Sequence, residues 1–346
     1  MNAILSIKIQ KLNYLIITFS KALLILLPQD ENSMIIHEGY ENLSLKHPFV
    51  TVGVFDGVHK GHRALLDHLA CRAEKAGGES VVITFDPHPR LVLSKKTEGI
   101  FFLSTLDEKK KLLAESAIDH LIIMNFTREL GNMEAVDFIK KILVEKIGVK
   151  HLIVGYDNHF GKGKEGDFEK IGEYAGLYDF EAEQADGLSA PEGIISSTII
   201  RDALLNGRLE DANRLLGYNY SLTGNVIEGR KLGRSLGFPT ANIKPADMFK
   251  LIPANGVYAV EVLTGKEKLP GMLSIGFNPT VNKNRADKSV EVHIFDYDKE
   301  LYGQTITVIF RFRLRDEKRF ENTEQLTGQM KLDKESAMRL LAEQHH

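Results

Sequence analysis

Between residues 34 and 216 of this 346-residue chain, short apolar runs alternate with longer helix-like stretches. Four of the runs are predicted strands: 49–54, 79–85, 120–124 and 151–154. The predicted helices lie at 62–76, 106–115, 133–146 and 167–175. Short buried strands that alternate with helices are typical of an α/β fold with a doubly wound parallel sheet. Because ligands of such sheets bind at the carboxyl ends of the strands, we expect functional residues directly after each run.

The first predicted strand leads into a glycine-rich turn and a helix start, VGVFDGVHKGH at 52–62. Such a corner is a generic anion site, because free backbone N–H groups and the positive end of the helix dipole face the ligand. His59 and His62 share one face of the first helical turn and add donors for phosphate oxygens. The pattern predicts a nucleotide phosphate site, although alone it also fits a structural corner with two surface histidines. The other turn residues that we expect at the nucleotide are Gly53, Phe55 and Asp56.

A second phosphate-type motif, ISSTIIR, lies far downstream at 195–201. Ser197 and Thr198 supply hydroxyl groups at the start of a helix predicted over 199–206, and Arg201 follows one turn later. Hydroxyl groups, a helix N-terminus and a guanidinium suit a triphosphate or a leaving pyrophosphate. Alone, the motif favours a plain capped helix; together with 52–62, it indicates a triphosphate clamp.

Two further segments follow predicted strands. TFDPHP at 84–89 places two prolines around a histidine and so fixes how that histidine is presented. GYDNHFGKGKEGD at 155–167 is rich in glycine and lysine but lacks the spacing of a P-loop. Each segment fits a ligand contact and a plain surface loop about equally. The residues that we assign to ligand contact are Pro87, His88, Asp157 and Phe160.

The alternation of predicted strands and helices ends near residues 216–218. We place the domain boundary there, between a domain at 34–217 and a domain at 218–346. Short predicted strands separated by glycine-containing segments follow, at 221–227, 256–263, 271–275, 290–295 and 305–313. They predict a compact antiparallel β-barrel or sandwich. A helical tail is predicted as two helices, at 323–331 and 334–343.

Two segments of the second half suit a bound nucleotide and its metal. The glycine-spaced basic hairpin at 224–234 could lie over phosphates with its backbone N–H groups. In GFPTAN at 237–242, Thr240 and Asn242 share a face of an extended segment, so both could hold one Mg²⁺. Each segment also fits a purely structural role. The hairpin residues that we expect at the nucleotide are Gly229, Arg230, Gly233 and Arg234.

Glu291 begins the strand-like segment EVHIFD and alternates with His293 along one face of the strand. A carboxylate on a rigid strand is suited to act as a general base toward a hydroxyl group. Taken alone, Glu291 also fits an ordinary exposed strand residue.

Composition and charge narrow the function classes. A net charge of −3 gives no basic excess to neutralise a phosphate backbone, so general nucleic-acid binding is not expected. The single cysteine, Cys71, excludes an intrachain disulfide and fits a reducing, cytoplasmic location. Residues 12–27 are mostly apolar, but Lys21 interrupts them and a spanning helix needs about 20 apolar residues. We expect 1–33 to be an extension outside the fold, without membrane contact; a membrane anchor is the alternative.

Together these motifs resemble the bacterial bifunctional riboflavin kinase/FAD synthetase family, from about residue 34 to the end of the chain. The resemblance rests on segments in the family's order: GVFDGVHKGH, TFDPHP, ISSTIIR, GRKLGRSLGFPTANI, NGVY, SIGFNPTV, EVHIFDYDKELYG and LRDEKRFENTEQLTGQMKLD. HKGH is also similar to the HxGH signature of α/β nucleotidyltransferases. Asn158 and His159 depart from the family pattern, which leaves open the side chain there that contacts the flavin or adenine.

The resemblance implies two reactions. The C-terminal domain would phosphorylate riboflavin with ATP and Mg²⁺ to give FMN, and Glu291 would be the base. Thr240 and Asn242 would hold Mg²⁺ and phosphates, under the 229–234 hairpin. The N-terminal domain would transfer AMP from a second ATP to FMN, giving FAD and pyrophosphate.

For the N-terminal domain, the resemblance implies an ATP site and a flavin site. His59 and His62 would contact the ATP phosphates and stabilise charge as pyrophosphate forms. Ser197, Thr198 and Arg201 would bind the triphosphate from the other side. The residues expected at the flavin are Pro87, His88, Asp157 and Phe160.

The expected partners are small molecules, namely riboflavin, FMN and ATP, and a homo-oligomer is left open. One alternative is a different nucleotidyltransferase, acting on pantetheine phosphate or a nicotinate nucleotide, fused to an unrelated barrel. The GFPTAN and EVHIFD segments argue against it. Another alternative is a flavin-binding regulator without catalysis, against which the intact set of Glu291, Thr240, Asn242, His59 and His62 argues.

Overall fold

The computed structural model describes residues 34–156, 168–229, 237–277 and 288–343. The first half forms a six-stranded parallel sheet with the strand order β1-β4-β3-β2-β5-β6. Its strands are β1 Ile35–Glu38, β2 Phe49–Val52, β3 Ser80–Asp86, β4 His120–Asn125, β5 His151–Val154 and β6 Glu181–Gln184. From β2, the strands β3 and β4 are added on one side and β5 and β6 on the other. The predicted doubly wound sheet is therefore confirmed.

Helices cover both faces of this sheet. Successive strand residues point to opposite sides, and those on each side are buried against helices. Val81 and Ile83 pack with the helices of one face, whereas Val82 packs with those of the other. The helical segments are α1 Lys60–Ala76, α2 Pro89–Leu93, α3 Leu106–Ala114, α4 Arg128–Gly131, α5 Ala135–Asp137, a π-helix at Phe138–Ile147 and α6 Phe168–Tyr178. Among the described residues, no helix is both long and apolar enough to cross a membrane.

The second half is a closed antiparallel barrel with the strand order β10-β13-β12-β11-β14-β9. Its strands are β9 Ser221–Ile227, β10 Ala241–Pro245, β11 Gly256–Thr264, β12 Glu267–Phe277, β13 Lys288–Ile294 and β14 Thr305–Arg315. Closure pairs every strand on both sides and leaves no sheet edge. The predicted barrel is therefore confirmed.

Among the strands of the sheet and the barrel, the sequence prediction missed β1, β6 and β10, and it divided the helical tail into two helices. β1 and β6 are the edge strands of the parallel sheet, and their exposed, partly polar sequences IIHE and EAEQ give no buried-strand pattern. The tail is a single helix, α9 Thr323–Glu343, instead of two. It continues through Asp333, whose buried carboxylate accepts hydrogen bonds from the Arg315 guanidinium at 2.7–3.1 Å.

Two helices join the halves. After a small hairpin of β7 Ser189–Ala190 and β8 Gly193–Ile194, the chain forms α7 Ser197–Leu205 and α8 Leu209–Leu216. The apolar faces of α7 and α8 belong to the same buried cluster as the barrel interior, and so does Leu103 from the α/β half. The boundary between 217 and 218 stays a prediction, because α7 and α8 pack with residues on both sides of it.

A buried lysine also ties the barrel to the α/β half. Lys250 Nζ donates to the Leu103 carbonyl and to Glu108 Oε2, each at 2.6 Å, and lies 4.4 Å from the centre of the Tyr220 ring. Its side chain is 3% exposed, so the Glu108 carboxylate is what compensates its charge. Glu108 also caps α3 by accepting from the backbone N–H of Thr105 at 2.9 Å.

We expect Glu108→Gln to destabilise the protein more than Lys250→Met. Glutamine can still cap α3, but it leaves the buried ammonium uncompensated, at a cost of about 3 kcal/mol in the free energy of unfolding. Methionine instead replaces the cation with an apolar chain, and Glu108 keeps its bond to the helix start. Urea unfolding of both variants measures the difference. Equal losses, or a larger loss for Lys250→Met, would contradict this account of the ion pair.

Candidate functional sites

The turn after β2 has an unusual backbone. Phe55 and Val58 have positive φ angles of 50° and 34°, which non-glycine residues seldom adopt, and Gly57 has a φ of 80°. Gly53 must also stay small, because a Cβ there would lie 3.0 Å from the Phe55 ring. Strained backbone of this kind is typical of functional turns. The turn places His59 at the N-cap of α1.

His59 and His62 lie together, as the HKGH spacing predicts. Their rings stack with centres 3.6 Å apart, and His59 Nδ1 accepts a hydrogen bond from the His62 backbone N–H at 3.3 Å. A neutral His59 therefore carries its proton on Nε2, where it can donate to a ligand. The Nδ1 atom of His62 is buried and has no hydrogen-bond partner among the described residues.

Both histidines are neutral near pH 7. Burial, with the nearby Arg201 guanidinium, lowers the pKa of His59 to about 4. Burial lowers the pKa of His62 well below its usual range, and His59 and Lys109 add to that effect. The imidazoles can thus donate hydrogen bonds to phosphate oxygens, but the positive charge of the site must come from other side chains.

The structure brings the two phosphate motifs into contact through Asp56. One carboxylate oxygen of Asp56 accepts from the backbone N–H groups of Leu103 and Ser104, at 2.8 and 3.1 Å. The other oxygen pairs with the Arg201 guanidinium at 2.6 Å. Burial raises the pKa of Asp56, but Arg201 and the two N–H groups oppose that shift and favour the ion pair. Asp56 therefore acts by holding Arg201, and its own oxygens face protein donors.

The hydroxyl groups of ISSTIIR lie around the same ion pair. Ser197 Oγ donates to the Asp56 carbonyl at 2.9 Å, and Arg201 donates to Thr198 Oγ1 at 3.3 Å. The N-cap of α7 is Ser196, which accepts from the Ile199 N–H. Positions 56 and 195–201 thus form one clamp, although 145 residues separate Asp56 from Arg201.

The predicted flavin contact His88 follows β3 and is half-buried. Its ring stacks on Phe102, with centres 3.9 Å apart, and its Nδ1 accepts from the Arg90 N–H at 3.1 Å. Burial, with Lys109 next in effect, lowers the pKa of His88 to about 3. Pro87 precedes it and is exposed. The other two predicted flavin contacts, Asp157 and Phe160, lie outside the described residues.

The sequence prediction missed one residue of this site, Lys109. It lies on α3, is 5% exposed, and donates from Nζ to Thr84 Oγ1 at 3.4 Å, at the end of β3. Lys109 and Leu113 are the buried residues of α3, four positions apart on one face. That spacing was the available signal: a lysine at a core position of an amphipathic helix.

The second site lies in the barrel, around Glu291 on β13. Asn242 on β10 is the register partner of Glu291, and Ser274 on β12 pairs with it from the other side. Thr240 Oγ1 donates to Glu291 Oε2 at 3.3 Å, so the three predicted residues converge. Thr240 and Glu291 border a cavity of about 220 Å³, whose other lining residues are Val257, Met272, Leu273, Ser274, His293, Arg315, Leu326, Met330 and Asp333.

Two contacts hold the segments that carry Thr240 and Asn242. His293 Nδ1 donates to the Pro239 carbonyl at 2.8 Å and so holds the segment that carries Thr240. Gly229 passes so close to Asn242 that a Cβ at position 229 would lie 1.9 Å from Asn242 Nδ2. The start of the predicted nucleotide hairpin thus lies directly on Asn242. The hairpin residues Arg230, Gly233 and Arg234 lie outside the described residues.

The two sites define a two-domain phosphoryl- and nucleotidyl-transferase class: a doubly wound domain with the predicted phosphate clamp, followed by a barrel with a carboxylate at its cavity. A family model described as FAD synthetase matches residues 42–199, and one described as riboflavin kinase matches 216–341. The chain belongs to the bifunctional riboflavin kinase/FMN adenylyltransferase family. It is an enzyme with one domain of each kind.

Relatives of similar length support this assignment. The bifunctional enzyme of Listeria monocytogenes is 36% identical over 313 residues, which cover 87% of this chain and 98% of the relative. That of Escherichia coli K12 is 39% identical over 289 residues, covering 83% and 91%. A crystal structure from Streptococcus pneumoniae, described as a macrolide-efflux protein, superposes with a TM-score of 0.78 at 30% identity and covers 88% of this chain and 99% of that one.

The low pKa of His59 makes a prediction about acid stability. Because its folded pKa, about 4, lies below the ordinary 6.5, protonation favours the unfolded chain, and stability falls as pH drops from 6.5 toward 4. This shift corresponds to about 3 kcal/mol. His59→Asn keeps an N-cap residue and should flatten that part of the curve, measured by urea unfolding of ligand-free protein at several pH values. A variant curve parallel to the wild-type curve would contradict the prediction.

Proposed function

We propose that the two sites act in sequence, the barrel converting riboflavin to FMN and the α/β domain converting FMN to FAD. The observation that carries this proposal is that each half holds its own complete cluster: Glu291 with Thr240 and Asn242, and Asp56 with Arg201 beside two histidines. The substrates are small molecules, and we place the enzyme in the cytoplasm, where Cys71 stays reduced.

In the barrel, Glu291 is the proposed general base. Its carboxylate would accept the proton of the riboflavin 5′-hydroxyl while that oxygen attacks the γ-phosphorus of ATP and ADP leaves. The bond from Thr240 and the pairing of β13 with β10 and β12 hold the carboxylate in place. Phosphoryl transfer depends mainly on such positioning and on charge neutralisation.

Thr240 and Asn242 are the proposed Mg²⁺ ligands. Their side-chain oxygens beside Glu291 are the hard donors that Mg²⁺ prefers, and the ion keeps positions for ATP oxygens and water. Within the described residues, no cluster of three or more His, Cys, Asp or Glu side chains could hold a metal, so a site completed by the nucleotide fits this donor set. When bound, Mg²⁺ would neutralise phosphate charge.

In the α/β domain, an oxygen of the FMN phosphate would attack the α-phosphorus of ATP, and the bond to the bridging oxygen would break to release pyrophosphate. His59 Nε2–H and His62 would donate to the phosphate oxygens. Arg201, held by Asp56, would supply positive charge, with the hydroxyl groups of Ser197 and Thr198 next to it. The ATP contacts proposed on the β2 turn are Gly53 and Phe55.

The barrel reaction is tested by Glu291→Gln. The amide keeps the size of the side chain but cannot accept the hydroxyl proton, so the rate of FMN formation from riboflavin and ATP should fall by about 100-fold or more. FMN-to-FAD conversion by the same protein should be unchanged. Chromatographic resolution of FMN and FAD over time measures both activities. Unchanged FMN formation would refute the role of Glu291.

The opposite variant tests the α/β site. His59→Ala combined with His62→Ala removes both imidazole donors and should lower FMN-to-FAD conversion by about 100-fold or more. Riboflavin phosphorylation should continue, because Glu291 and its neighbours lie in the other domain. Loss of both activities in a protein shown by circular dichroism to be folded would refute the division into two independent sites.

A further inference from the structure

Lys109 is a buried cation without a carboxylate partner. Only 5% of its surface is exposed, and its one hydrogen bond in the described structure is the 3.4 Å contact with Thr84 Oγ1. No carboxylate of the described residues forms an ion pair with it within 4.0 Å. Its neighbour Lys110, in contrast, pairs with Glu38 at 3.1 Å.

Burial of the Lys109 ammonium without a close counter-charge costs free energy in the ligand-free protein. Removing an ammonium group from water disfavours its charged form unless a counter-charge is close. Burial lowers the pKa of Lys109, and only the longer-range attraction of Asp56 and Asp86 opposes that shift. The oxygens of Asp56 are already engaged by backbone N–H groups and by Arg201. An anionic ligand would supply the counter-charge that the fold does not.

The position of Lys109 indicates which anion. Its charge lowers the pKa of both His62 and His88, so it lies near the histidines that follow β2 and β3. Arg201 lies on α7 and pairs with Asp56, whereas Lys109 lies on α3 and contacts Thr84 near the end of β3. The family resemblance implies that ATP lies at the turn after β2, with His62, and the flavin at the segment after β3, with His88. A phosphate that joins the two ligands would lie near both histidines, as Lys109 does.

We propose that the Lys109 ammonium binds the 5′-phosphate of FMN during adenylyl transfer, an inference that rests on the reaction proposed for this domain. The ammonium donates hydrogen bonds to the phosphate oxygens and forms no covalent bond. An FMN phosphate oxygen forms the new bond to the α-phosphorus of ATP, and pyrophosphate leaves with the electrons of the broken bond. Lys109 holds the attacking group and offsets its negative charge.

The test is steady-state kinetics of FMN and ATP conversion to FAD and pyrophosphate, without riboflavin. Lys109→Met keeps the chain length but removes a charge-assisted hydrogen bond, so the KM for FMN should rise about 10- to 100-fold. The KM for ATP should change less than about twofold, because the triphosphate is bound by the other groups. If methionine impairs folding, Lys109→Gln removes the same charge. Riboflavin phosphorylation by each variant should equal that of the wild type.

Lys111→Met is the matched control, because Lys111 is an exposed lysine on the same helix and the change in net charge is identical. It should leave both KM values unchanged. An unchanged FMN KM in both Lys109 variants would overturn the proposal, as would a rise confined to the ATP KM or an equal effect in Lys111→Met. Failure of the wild-type protein to convert FMN to FAD would instead refute the function proposed for the domain.

Discussion

The buried ion pair between Asp56 and Arg201 is the contact on which the first site depends. It joins the turn after β2, the segment that leads into α3, and the first turns of α7. None of these segments is near another in sequence, so the predicted phosphate clamp forms only when the whole domain is folded. The two backbone N–H groups at 103–104 are decisive, because a buried carboxylate facing one guanidinium would otherwise keep an unsatisfied oxygen.

The barrel site depends on strand register instead of a buried charge pair. Glu291 faces its neighbours because Asn242 and Ser274 are its direct partners on β10 and β12. A shift of one residue in either pairing would turn the side chains to the opposite face of the sheet. The closed barrel and the close approach of Gly229 to Asn242 leave little room for such a shift.

The sequence predicted the parts of both sites that lie in compact motifs. His59 with His62, and Thr240 with Asn242, are close in the chain, so their spacing alone places them together. The buried strands of the sheet were predicted for the same reason, whereas β1 and β6 were not, because edge strands need not be apolar. The role of Asp56 was not predictable, since its partners at 103–104 are backbone groups that no residue type reveals.

Lys109 shows a second limit of sequence analysis. It begins a run of three lysines, 109–111, which has the composition of a solvated helix face. The four-residue spacing from Leu113 is a weak signal for the first of them, and the packing of α3 against the sheet is what separates it clearly from the others. The capping box at Thr105 and the apolar Leu113 fix the orientation of the helix, and that orientation turns position 109 inward.

The helices α7 and α8 belong structurally to both halves of the chain. The polar side of α7 carries Arg201 of the predicted phosphate clamp, while its apolar side belongs to the core shared with the barrel. A substitution in α7 can therefore disturb both domains at once. A domain taken from another protein would keep this shared core only if it packed against the same apolar faces of α7 and α8.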